Sequence, residues 1–151
     1  MDSTDILFYL YALDESADEI IELNPHAVVV FGHEAPIAIR SSPPTLIGTG
    51  RLATFGRTRN NGIILPRQRY YRNDHCWFFL SKSGELILRD ASRRLTGVEV
   101  VQVTPEDQDR YYLHGNNPRQ RVIPRVGRMV NIIIGRASFR MVWNPAFLEE
   151  R

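Results

Sequence analysis

The sequence predicts an all-β fold, a sandwich or barrel of many short strands with one short helix near its start. Three observations carry this. From Arg51 onward, short apolar runs rich in Val, Ile, Phe and Trp recur steadily, as successive strands do. Turn signals separate them, at Asn61-Gly62, Ser83-Gly84, Gly115-Asn116-Asn117-Pro118 and Gly135-Arg136, where Gly and Asn supply the turn conformations. Helical signals concentrate in one early stretch, and no repeat, low-complexity tract or coiled-coil heptad is visible.

In chain order, Ile6–Leu13 is apolar and aromatic and predicts a strand. Asp14, Glu15 and Ser16 offer N-caps for a short helix over Ala17–Leu23, with acids in its first turn and Asn24-Pro25 as its stop. Ala27–Phe31 is β-branched and predicts a second strand. Residues 32–49 hold three prolines around Ile37-Ala38-Ile39 and predict a strand fragment in a loop. Further strands are expected at 51–56, 62–65, 76–81, 85–89, 97–103, 120–123, 129–134 and 138–143. Residues 104–118 form the longest polar insertion, whose Tyr111-Tyr112-Leu113 would pack back on the sheet. Phe147 and Leu148 would make an awkward free tail, so a longer parent protein is one expectation.

With 151 residues, the chain is expected to form one domain with a real core. No run is long enough for a membrane span, and the acidic N-terminus is unlike a secretory signal. Cys76 cannot form an internal disulfide, which fits a reducing compartment, the cytoplasm or nucleus. It reads as a buried apolar residue. Residues 1–50 carry net charge −7, residues 51–100 +6 and residues 101–151 +3, giving +2 overall. Lys82 is the only lysine. The basic charge is therefore almost all guanidinium, whose planar fork suits phosphate and carboxylate better than an ammonium does.

The arginines recur between strands. Arg57 and Arg59, then Arg67, Arg69 and Arg72, then Arg93 and Arg94 fall in three successive connections. At one end of a sandwich these could converge on an anion. The enzymatic alternatives are weak. The four histidines share no metal-ligand spacing and one Cys cannot complete a zinc site. Gly48-Thr49-Gly50 lacks the lysine of a phosphate-binding loop. Asp74 and His75 are neighbours that a strand would point to opposite faces. Neither a metal, a cofactor nor a catalytic pair is expected. The Arg-Tyr interleaving over 67–72 would suit nucleic acid, but the near-neutral whole and acidic first third disfavour it.

Residues 55–99 resemble a forkhead-associated (FHA) domain. The residues that carry the likeness are Gly56-Arg57 after Thr54-Phe55, the run Ile63-Ile64-Leu65, Arg72-Asn73-Asp74-His75, and Ser83-Gly84 leading to Leu88-Arg89-Asp90-Ala91-Ser92. Val126-Gly127-Arg128 and Ser138–Val142 resemble the closing strands, and residues 5–23 the openings of such regions in fungal checkpoint-type Ser/Thr kinases. The resemblance implies a β-sandwich of about 11 strands over 1–151, with its core motif at 51–143. It also implies a non-catalytic module that reads phosphothreonine in a protein partner, and a kinase domain elsewhere in a longer chain. The sequence departs from the family at two places. Arg72 replaces a serine that donates to phosphate, and Arg93-Arg94-Leu95-Thr96 replaces a Ser/Thr-Asn-Gly-Thr turn.

The residues expected at the phosphopeptide are Arg57, Arg72, Asn73, Arg93 and Arg94. Arg59, Arg67, Arg69 and Tyr70 are placed for flanking residues of the ligand. Gly56, His75 and Asp90 are expected as structural support. Two further functions stay open at this point. One is a degenerate FHA-like scaffold that binds protein without phosphate. The other is a binder of nucleic acid or poly(ADP-ribose).

Overall fold

The computed structural model describes residues 5–41, 50–92, 98–103, 108–113, 119–124 and 129–148. The chain runs β1 (Ile6–Ala12), α1 (Glu15–Leu23), β2 (Ile37–Arg40), β3 (Arg51–Gly56), β4 (Ile63–Ile64), β5 (Cys76–Leu80), β6 (Leu86–Asp90), β7 (Val98–Val103), β8 (Gln108–Leu113), β9 (Gln120–Val122), β10 (Met129–Ile134), β11 (Ala137–Trp143) and the short α2 (Pro145–Leu148). The strands form two sheets, β2-β1-β11-β10-β7-β8 and β4-β3-β5-β6-β9. Among the described residues every strand pairing is antiparallel except β3–β4, which is parallel. The fold is a β-sandwich.

Alternation builds the core. Phe8 and Leu10 of β1, Phe55 of β3, Phe78 of β5, Leu88 of β6, Ile132 of β10 and Phe139 of β11 are fully buried in one cluster. Phe78 links the sheets, its ring edge-on to Phe8 at 5.0 Å and to Phe55 at 6.0 Å. Such contacts add specific geometry to the burial of large apolar surface. Cys76 is buried in the same cluster.

Helix α1 starts where Asp14 caps it, Oδ1 accepting from Ala17 N at 2.9 Å. The same carboxylate accepts from Ser138 N of β11 at 3.2 Å. At the other end Asn24 is fully buried. Its Nδ2 donates to Ile20 O at 2.7 Å and Ile64 O at 2.8 Å, while its Oδ1 accepts from Ile64 N at 2.7 Å. One side chain thus joins the helix terminus to β4.

Two expectations are corrected. Ala27–Phe31 is not a strand. Pro25–Ala27 forms a 3-10 turn, and only isolated bridges, Val28 with Ile37 and Phe31 with Glu34, follow it. Gly32 turns the chain back at φ 58°, and Val30 stays 70 % exposed. β-branched composition supplies no strand without a neighbour to pair along its length. Conversely, the polar insertion 104–118 contains β8, paired along β7. Its residues alternate, with Gln108, Arg110 and Tyr112 exposed and Leu113 buried, as an edge strand over a core requires. No helix among the described residues is long and apolar enough to cross a membrane.

Candidate functional site

The connections 57–62 and 65–75 and the chain after β6 meet at one end of the five-stranded sheet. Backbone bonds fix them there: Arg57 N donates to Arg72 O at 3.0 Å, His75 N to Phe55 O at 2.8 Å, and Ala91 N to His75 O at 2.8 Å. Asn61, nearly buried, donates from Nδ2 to Asn73 O at 2.9 Å and to Thr58 Oγ1 at 2.8 Å. Gly56 is dictated by this closeness. A Cβ there would lie 2.0 Å from Asn73 O and 2.5 Å from Asn61 Nδ2, so any side chain would drive the two connections apart.

His75 is fully buried beneath the loop. Its Nδ1 accepts from Arg72 N at 3.2 Å, which assigns a proton on that ring to Nε2. Asp90 is also buried, and its Oδ1 accepts from Ser92 N at 3.0 Å, turning the chain after β6. The base of the site is therefore held by bonds within the protein.

Two hollows open on this scaffold, and Asn73 borders both. The larger, about 650 Å³, is lined by Arg51, Asn60, Arg72, Asn73, Asp74, Trp77, Arg89, Asp90, Ala91, Ser92 and Arg119. The smaller, about 380 Å³, is lined by Arg57, Thr58, Arg67 and Asn73. Arg57 Nε donates to Asn73 Oδ1 at 3.2 Å across the rim of the smaller one. Of the residues lining the larger one, Arg72 Nε and Ser92 Oγ are buried with no hydrogen-bond partner among the described residues. A buried donor without an acceptor costs about 1–3 kcal/mol. Both residues line the cleft.

The residues singled out by sequence thus fall in different settings. Arg72 and Asn73 meet in the larger cleft; Arg57, Arg67 and Asn73 meet in the smaller. Gly56, His75 and Asp90 lie beneath them. Arg59 is exposed on the 57–62 connection. Arg69 and Tyr70 turn elsewhere. The Tyr70 ring lies between the guanidinium carbons of Arg69, at 5.3 Å, and Arg136, at 4.7 Å. The Arg69 hydrogen bond, its charge and that of Arg136 pull the Tyr70 phenol below its ordinary value. Gly135, at φ 59°, packs so closely that a Cβ would lie 2.5 Å from Tyr70 O, which pins this connection to the β10–β11 turn. Arg93 and Arg94 lie outside the described residues.

Sequence reasoning gave no binding role to Arg51, Trp77, Arg89 or Arg119. A signal was present in the strand alternation: Cys76 and Phe78 face the core, so Trp77 must face out, and Arg89 lies opposite it. Arg51 stacks over the Trp77 ring at 3.9 Å, and Arg89 approaches it at 6.0 Å. Among the described residues, no group of three His, Cys, Asp or Glu is placed to hold a metal ion.

No protein-family model matches the chain, and no curated protein matches its sequence. Solved structures do match it. An engineered FHA domain with a Myc-pTBD peptide aligns at TM-score 0.55 and 14 % identity, covering 97 % of this chain and 98 % of that one. The N-terminal FHA domain of Saccharomyces cerevisiae Rad53p, in complex with a phosphothreonine peptide, aligns at TM-score 0.54 and 14 % identity, covering 97 % and 100 %. Mycobacterium tuberculosis EmbR, in complex with a low-affinity phosphopeptide, aligns at TM-score 0.48 and 14 % identity over 92 % of this chain, which spans a quarter of EmbR's length (25 %). At these identities the likeness defines the architecture: the chain has an FHA-like β-sandwich fold.

Proposed function

We propose that the protein is a phosphothreonine-reading module that binds a segment of a partner protein and carries out no catalysis. The observation that carries this reading is the cleft at the loop end of the sandwich, lined by Arg72 and Ser92, whose Nε and Oγ have no hydrogen-bond partner among the described residues. A phosphothreonine brings about −1.5 to −2 charges at neutral pH and three acceptor oxygens. Arg72 would supply a charged donor and Ser92 a neutral one, while Asn73, held by Arg57, would meet the peptide beside the phosphate. The fold has already positioned these donors, so little ordering cost opposes binding. Rad53p and the engineered domain were solved with ligands that lend the reading support by analogy of fold. Arg57 and Arg67, on the adjoining hollow, are assigned to residues flanking the phosphothreonine.

Residues 1–151 would act as one unit in a cytoplasmic or nuclear signalling protein, in a kinase-linked setting implied by the resemblance of residues 5–23 to the openings of such regions in Ser/Thr kinases. The test is calorimetric titration with a degenerate phosphothreonine peptide library and its unphosphorylated twin, on the native protein and on Arg72→Ala. Only the phosphorylated library should bind, and Arg72→Ala should weaken it roughly tenfold to a hundredfold, as loss of a charged hydrogen bond of about 1.5–3 kcal/mol requires. Equal binding of the twins would favour a phosphate-independent scaffold instead.

A further inference from the structure

The outer face of the five-stranded sheet continues the cleft away from the loops. Cross-strand register sets its rows. Thr54, Trp77, Arg89 and Gln120 lie side by side, and Arg51, Phe79, Ile87 and Val122 form the next row. Arg89 Nη1 donates to Gln120 Oε1 at 2.8 Å, which braces its guanidinium above the sheet. The Arg51 guanidinium carbon lies over the Trp77 ring, 3.9 Å from its centroid. Stacking uses the face of a guanidinium, while its hydrogen bonds run in its plane. Arg119 flanks the same cleft, its carbonyl accepting from Asp90 N at 2.6 Å.

We infer that Arg51, Arg89 and Arg119, on the Trp77 floor, form a second anion subsite on the sheet face that takes another acidic group of the same bound peptide. This rests on the phosphothreonine reading of the adjoining loop end. Arg89 is three positions before Ser92 in the chain, at most about 10 Å at the rise of an extended strand. A peptide leaving the loop-end site would cross the Trp77–Arg89 row within a few residues. The acidic group is a side-chain carboxylate or a second phosphate; both offer oxygens to a forked donor. Nucleic acid fits the face less well. The Trp77 face that a base would stack on is covered by Arg51, and Asp74 lies on the same cleft.

Fluorescence anisotropy with labelled peptides tests it. Three share one phosphothreonine: the first has neutral flanks, the second an Asp-Glu run beside it, the third a second phosphothreonine in place of that run. A fourth carries the acidic run and no phosphate. The native protein should bind the second and third about fivefold to tenfold tighter than the first, the sum of two or three modest charge pairs. The gap between second and third identifies the source of the anion. The double variant Arg51→Gln, Arg89→Gln should lose that preference, binding the second and third peptides no tighter than the first, with an unchanged circular dichroism spectrum. Equal affinity of the native protein for the first three would overturn the subsite. If the first peptide shows no phosphate dependence, the loop-end reading fails by itself. The fourth peptide then decides the subsite, which stands if the acidic run binds and the double variant abolishes it, and falls otherwise. A single-stranded oligonucleotide that binds tighter than every peptide, with a steep salt dependence, would also overturn it.

Discussion

Ser92 is 3 % exposed, and its hydroxyl has no hydrogen-bond partner among the described residues. Leaving such a group buried costs stability, so its removal separates stability from binding. Ser92→Ala should hold or raise the melting temperature, by up to about 1 kcal/mol of stability, while weakening phosphopeptide binding about threefold to tenfold. Thermal unfolding and titration of one preparation check both signs. Cys76 offers a second test. Burial, and then the charge of Asp90, push its thiol well above its ordinary value of 9.0. The native protein at neutral pH should therefore leave Cys76 unmodified by iodoacetamide, while the denatured protein reacts. Cys76 was legible as buried from its place in an apolar run. The row of Arg51, Trp77 and Arg89 was not, because alternation gives the face of a residue but not its cross-strand neighbour. That neighbour depends on register, here shifted by an irregularity between Arg51 and Ala53.

Elements here are joined by single polar side chains and by close backbone approach. Asn24 ties α1 to β4 through three hydrogen bonds of 2.7–2.8 Å. Asn24→Ala would leave Ile20 O, Ile64 O and Ile64 N short of partners, and should cost about 2–4 kcal/mol in chemical denaturation. Gly56→Ala should lower phosphopeptide affinity more than it lowers stability. Its Cβ would push on the Asn73 carbonyl, and that carbonyl belongs to the loop that sets the site. Comparison of titration with denaturation midpoints tests that order. Strand β8 shows where composition misleads. Gln108-Asp109-Arg110 reads as loop because it is polar, yet an edge strand needs only one apolar face. The Ala27–Phe31 segment errs in the opposite sense, apolar enough for a strand but turned back at Gly32 before it can pair.

For the whole molecule, pH should act through two buried acids and one ligand. Burial, helped by the Glu19 charge, lifts the Tyr71 phenol from 10.0 to about 12, and Cys76 moves the same way. Both native values exceed the unfolded ones. The unfolded chain therefore sheds protons first, and stability is whole below about pH 9, then falls as pH rises toward about 12. Denaturation midpoints at rising pH should decline only in that range. Phosphopeptide affinity should instead fall on acidification through about pH 6, where phosphate takes up its second proton. The sandwich was legible in advance because strand and turn signals agree along residues 51–143. The division of the arginines between two hollows was not, because it depends on how the connections fold over Gly56 and Asn73.

The proton on Arg72 Nε reports the central claim most directly, as a resolved side-chain signal in a nitrogen-proton correlation spectrum, assigned by its loss in Arg72→Lys. On addition of a phosphothreonine peptide it should move strongly downfield and resist solvent exchange, as a donor bound to phosphate does, and the unphosphorylated twin should leave it in place. A phosphopeptide that binds while this signal stays unmoved would contradict the assignment of phosphate to the Arg72–Ser92 cleft.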